Sequence, residues 1–251
     1  MDKDEYLKLQ SEFINQFDID WRKSVNQIDI FAELEKIEFK DGKNAKDYFI
    51  INANKQIVKN YIVSVSNQIN LYSVNILKLE KWNSLFEKNK PDYEKDFILQ
   101  DRIIPLATLL LTEPNVLKNR IIFFYLTILD QEFEFSEIER KYRLSDFFDK
   151  QKYVSKAWEL NYNLVNAREI LAKVNSEETK RFRDYYTHKV APNIALGRYT
   201  EFKTVTNGNL SAVGFGVIRP ITVDEIITLA KKEIESILQS FQELMIFLKL
   251  L

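Results

Sequence analysis

Cysteine is absent from all 251 residues, which excludes disulfides, thiol nucleophiles and cysteine-ligated metals and suits a reducing compartment. Glycine and proline are scarce, at five each, which disfavours a turn-rich β fold. No Gly-rich phosphate loop of Walker or Rossmann spacing occurs, and no Gly-x-Ser-x-Gly elbow. Neither sign of charge dominates: 36 basic against 37 acidic side chains give a net charge of -1, so contact with a polyanion requires a local patch. Long apolar runs are missing as well. The longest uncharged stretch, Asn60 to Leu77, carries Asn60, Asn67, Gln68, Asn70 and Asn75, side chains too costly for a bilayer. Met1 to Glu5 begins acidic and lacks the apolar core of a secretory signal, so the chain reads as cytoplasmic, with no membrane partner. Histidine is scarcest of all, with His188 the only one.

What is present is apolar residue at helical spacing. A hydrophobic fraction of 45% supplies a core for a single domain over 1–251, expected to be an all-α multi-helix bundle. Helices are predicted at Asp4 to Phe17 and Asp20 to Phe39, with Asp41-Gly42 as punctuation. A long helix is predicted from about Lys46 to Lys88, where Ile50, Ile57, Tyr61, Val65, Tyr72, Ile76, Leu79 and Phe86 fall along one face. Pro91 ends it, and Pro105 and Pro114 are expected to bracket a short apolar run. Ile121 to Phe124 mark a central core helix from Asn115 to about Gln131, followed by a capping-box pattern at Ser136 and Glu139 and a helix over Asp146 to Val174. Asn175-x-x-Glu178 is expected to open the next helix. Thr222-x-x-Glu225 opens the last, which runs nearly to Leu251.

Four of the five glycines fall between 197 and 216, around Asn207-Gly208, which predicts one small antiparallel β-hairpin near residues 198–218. A type I′ turn at Asn207-Gly208 pairs Val205 with Leu210, Phe202 with Val213, Thr200 with Phe215 and Tyr199 with Gly216. The hairpin either covers a core edge or acts as an arm gripping a second subunit or flanking a site.

The segment Arg183-Asp184-Tyr185-Tyr186-Thr187-His188 gathers a guanidinium, a carboxylate and the only imidazole within a turn and a half of helix. Imidazole can take and give a proton near neutral pH, and guanidinium can hold two phosphate oxygens at once. On a helix Phe182, Tyr186 and Val190 form a core stripe, whereas Asp184 and His188, four apart, are neighbours on the outer side. Asp184 is placed to accept a hydrogen bond from His188 and so orient the ring. Lys180, Arg181, Arg183 and Lys189 face only Asp184 as an acid in this window, a basic patch suited to an RNA backbone, and Tyr185 or Tyr186 could stack on a base. Glu132 and Glu134, Glu137 and Glu139, and Glu177 and Glu178 read as solvated faces rather than a metal site.

At Arg183, Asp184 and His188 the chain resembles the HEPN (higher eukaryotes and prokaryotes nucleotide-binding) family, whose motif is Arg, four to six residues, then His, commonly with a polar residue directly after the Arg. The resemblance implies a HEPN-like core over 91–251, with 1–90 and the hairpin as elaborations. It also implies a homodimer whose two motifs meet in a cleft, a metal-independent endoribonuclease activity without cofactor, and a role as a toxin or defence effector that an antitoxin or regulatory protein could restrain. Cleavage through the 2′-hydroxyl needs a base and an acid, and one subunit offers one histidine, so two His188 side chains across a two-fold axis would fill both roles. The alternatives are a catalytically inactive HEPN-like dimer that binds nucleotide, RNA or a partner protein, and a purely structural interaction protein.

Overall fold

The computed structural model describes residues 3–24, 45–88, 91–129, 148, 150–188, 194, 199–207, 210–218 and 220–248. These are predominantly helical: α1 (Lys3–Ser24), α2 (Ala45–Phe86), α3 (Asp92–Ile98), a π-helical turn (Leu99–Ile103), α4 (Ile104–Leu129), α5 (Gln151–Glu159), α6 (Leu164–Ala172), α7 (Glu177–His188) and α8 (Val223–Leu248). Two antiparallel strands, β1 (Tyr199–Asn207) and β2 (Leu210–Ile218), separate α7 from α8. None of the helices among the described residues is long and apolar enough to cross a membrane.

The chain forms two compact units interleaved in sequence. One comprises Met1–Phe17, Ile76–Thr112 and Glu177–Lys231, the other Asp18–Asn75, Glu113–Ser176 and Lys232–Leu251. In the first unit Leu79, Trp82 and Leu85 of α2, Ile98 of α3, Ile103, and Leu110 of α4 are buried. Trp82 stacks on Phe13 of α1 with ring centroids 4.4 Å apart and planes 9° from parallel. Val223, Ile226 and Ala230 bury the first turns of α8, whose capping box is complete: the Thr222 backbone N–H and hydroxyl donate to Glu225 Oε2 at 2.9 and 3.0 Å, and the Glu225 N–H donates back to Thr222 Oγ1 at 3.3 Å. An isolated parallel bridge joins Ile194 and Ile221.

In the second unit the core of α2 is Val58, Ile62, Val65, Ile69 and Tyr72, spaced alternately by four and three as a helix face requires. Ile121 to Leu126 of α4 are buried on every side, the pattern of a central helix. Tyr125 shares a hydroxyl hydrogen bond of 2.9 Å with Tyr162, and Phe247 of α8 packs on both rings at 5.1 and 4.7 Å. Burial pushes both phenols up, and the nearby Glu243 carboxylate adds to this.

Several boundaries differ from expectation for local reasons. The helix expected to restart at Asp20 is continuous from Lys3 to Ser24. Pro114 does not end a helix but lies inside α4, because its neighbours Leu110, Leu111 and Leu117 are anchored in the core on both sides. Pro105 has no N–H to give a normal helical turn, and the wide turn directly before it, closed by the Ile104 N–H on Leu99 O, relieves the clash of its ring. The helix expected over Asp146 to Val174 is two helices. Asn161 turns left-handed at φ 53° after α5, and Asn163 caps α6 by accepting the Asn166 N–H at 3.1 Å. In the hairpin Asn207 pairs with Leu210 and Phe202 with Phe215, a register two residues from the expected one that preserves the alternation of faces. The helix expected from Asp20 to Phe39 beyond Ser24, and the capping box at Ser136, lie outside the described residues.

Candidate functional site

Helix α7 opens with Glu177 and Glu178, acidic side chains that suit the positive end of the helix dipole. Thr179 and Phe182, three apart and 0% and 5% exposed, fix its inner face. Ideal geometry then turns Asp184 about 200° from Phe182 and leaves Arg183 on the flank. Their side chains are 43% and 29% exposed. Arg183 donates from Nη2 to Asp184 Oδ1 at 2.8 Å and from Nε to the same oxygen at 3.3 Å. The sequence pairs Asp184 with His188; in the structure its carboxylate accepts from Arg183, and the His188 side chain lies outside the described residues.

Lys180 and Arg181 are exposed, with Lys180 3.7 Å from the Glu177 carboxylate, a solvated pairing of little energetic weight. Tyr185, Tyr186 and His188 occupy their expected places in α7, and their side chains, like all of Lys189 and Val190, are outside the described residues. Glu177 and Glu178 are exposed, as solvated faces would be, whereas Glu132, Glu134, Glu137 and Glu139 are not described. Among the described residues no group of three His, Asp or Glu side chains is placed to hold a metal ion.

The turn that leads into α7 departs from the expected capping box. Asn175 is left-handed at φ 61°, not the extended backbone of an N-cap. The N–H groups of Asn175 and Ser176 instead donate to the two oxygens of Glu233, at 2.8 and 2.7 Å. Asn175 Nδ2 donates to Asn115 Oδ1 at 3.3 Å, and Lys118 Nζ donates to Val174 O at 2.9 Å. Glu233, 1% exposed, is therefore a buried anion held by backbone donors. Sequence reading passed over it, although a signal existed: Glu233 sits three residues after Ala230 and four before Ile237, on the apolar stripe of α8.

No family model, curated protein or solved structure matches the chain. The functional reading therefore rests on the residues of α7 and their surroundings.

Proposed function

We propose that the protein is a metal-independent endoribonuclease of HEPN type that acts as a homodimer. The observation that carries the reading is a single helix holding Arg183, Asp184 and His188 within six residues, with the guanidinium and carboxylate half-exposed and two exposed cations, Lys180 and Arg181, on the same helix. One His188 takes the proton of a ribose 2′-hydroxyl as that oxygen attacks the adjacent phosphorus. The His188 of the second subunit protonates the departing 5′-oxygen, leaving a 2′,3′-cyclic phosphate and a 5′-hydroxyl. Arg183 stabilises the added charge on the phosphate oxygens, and Asp184 holds the guanidinium in place until RNA arrives. Residues 91–251 form the catalytic core of this reading, the hairpin is an arm at the dimer contact, and toxicity in the cytoplasm held in check by a regulatory partner is its biological consequence.

A second reading, an inactive dimer that binds RNA or nucleotide, is favoured by one observation: Arg183 already donates twice to Asp184, which competes with a phosphate. The test is incubation of the purified protein with RNA in a chelator. Cleavage that persists, yields cyclic phosphate ends and disappears in His188→Ala supports the enzyme. Cleavage lost to the chelator contradicts the metal-free mechanism, cleavage unchanged in His188→Ala contradicts the site, and tight binding without cleavage selects the second reading.

A further inference from the structure

In the first unit, α1, α2 and the π-helical turn enclose a cleft of about 390 Å³, a volume in the range of small-ligand sites. One wall is apolar: the stacked Phe13 and Trp82 face Leu106 and Leu109. The polar lining is dominated by donors, namely Gln10, Lys78 and Arg102, with Asp101 as its acid, exposed to solvent. Among the described residues no carboxylate pairs with Lys78 or Arg102.

Arg102 is held unusually. Its guanidinium carbon lies 5.5 Å from the ring centres of Trp82 and Phe97 and 5.9 Å from that of Tyr6, and Nη2 donates to the Tyr6 hydroxyl at 3.1 Å. The rings fix the cation's position and supply one oxygen acceptor between them. Arg102 Nε and Gln10 Nε2 are both buried and have no hydrogen-bond partner among the described residues. A buried N–H without an acceptor costs stability, and two such donors lining one cleft mark it as a place where an acceptor is missing. The π-helical turn Leu99–Ile103 carries Arg102, and turns of this kind recur at binding sites because they redirect a side chain.

We propose that this cleft binds a small organic oxyanion, a carboxylate or a phosphate monoester, on an apolar or aromatic body. The body lies along Trp82, Phe13, Leu106 and Leu109. The oxyanion takes the charge of Lys78 and Arg102, and small rotations of Gln10 and Arg102 toward the cleft bring the two unsatisfied donors onto its oxygens. The proposal is independent of the ribonuclease reading.

The test titrates the full-length protein with benzoate, phenyl phosphate and the uncharged benzyl alcohol, read by calorimetry and by the thermal midpoint. Saturable binding of either anion, with benzyl alcohol at least about tenfold weaker, is expected, and the anion that binds identifies the head group. Lys78→Met, at a half-buried position with no partner among the described residues, should keep the midpoint of the unliganded protein and weaken the anion about tenfold. Gln10→Leu should weaken it as well. Absence of binding by both anions, equal binding of benzyl alcohol, or unchanged affinity in both variants would overturn the proposal.

Discussion

Glu233 and the Arg183–Asp184 pair handle charge in opposite ways. Glu233 is enclosed, at 1% exposure, and its two oxygens receive the backbone N–H groups of Asn175 and Ser176. Arg183 and Asp184 retain 29% and 43% exposure and neutralise each other on one helix surface. A charge satisfied by backbone donors away from water fixes architecture, since removing it strands the donors. A half-exposed ion pair contributes little to stability and can exchange its partner for a ligand. Glu233 thus serves the architecture, and the Arg183–Asp184 pair is left available for the proposed chemistry.

The contrast is broken most readily at Glu233. Glu233→Ala should lower stability by about 2–4 kcal/mol, because it leaves two part-buried backbone N–H groups without their acceptor. Urea unfolding measures this; a loss below about 1 kcal/mol would mean that Glu233 is not architectural. Arg183→Ala should do the reverse. RNA cleavage should fall by about 10²–10³, while the urea midpoint stays within about 0.5 kcal/mol of the parent. A large stability loss there would collapse the distinction.

The buried Tyr72, Tyr125 and Tyr162 and the half-buried Tyr61 of the second unit sharpen it further. Burial pushes Tyr61 up to about 12 and raises Tyr72, Tyr125 and Tyr162, so in each case the folded state holds its proton more tightly than the unfolded chain. The stability this provides is complete below the ordinary phenol value of about 10 and is lost as pH rises through the raised folded values. Phenolate absorbance and loss of helix by circular dichroism should therefore rise together above pH 10. Ionisation of these phenols with the helices intact would show that they are not enclosed. Smallest of all, Thr222→Ala should cost about 1 kcal/mol through loss of the α8 cap, read by the thermal midpoint.

Legibility in the sequence follows how local each cause is. The spacing of Val65, Tyr72, Ile76 and Leu79 announced the buried face of α2, and Thr222 with Glu225 announced the start of α8, because both depend on residues within a turn or two. Pro114 misled because its usual helix-breaking effect is overridden by leucines buried on either side. Asn161 and Asn175 gave no warning of their left-handed backbones, which depend on what each turn must reach, such as Glu233, 58 residues further on. The hairpin shifted by two because Asn207-Gly208 fits the middle of a turn, yet Asn207 pairs with Leu210 in the ladder. At the candidate site, the order of Arg183, Asp184 and His188 along one helix was legible from spacing alone. The bond from Arg183 to Asp184 was not, because adjacent residues on a helix point about 100° apart and meet only when both side chains swing.

The central claim is that catalysis needs one His188 from each of two subunits. Wild-type and His188→Ala chains, co-refolded in equal amounts, would form about one quarter fully wild-type dimers. RNA cleavage at about one quarter of the rate of an equal total of wild-type protein is the predicted result; a rate near one half would contradict the shared site.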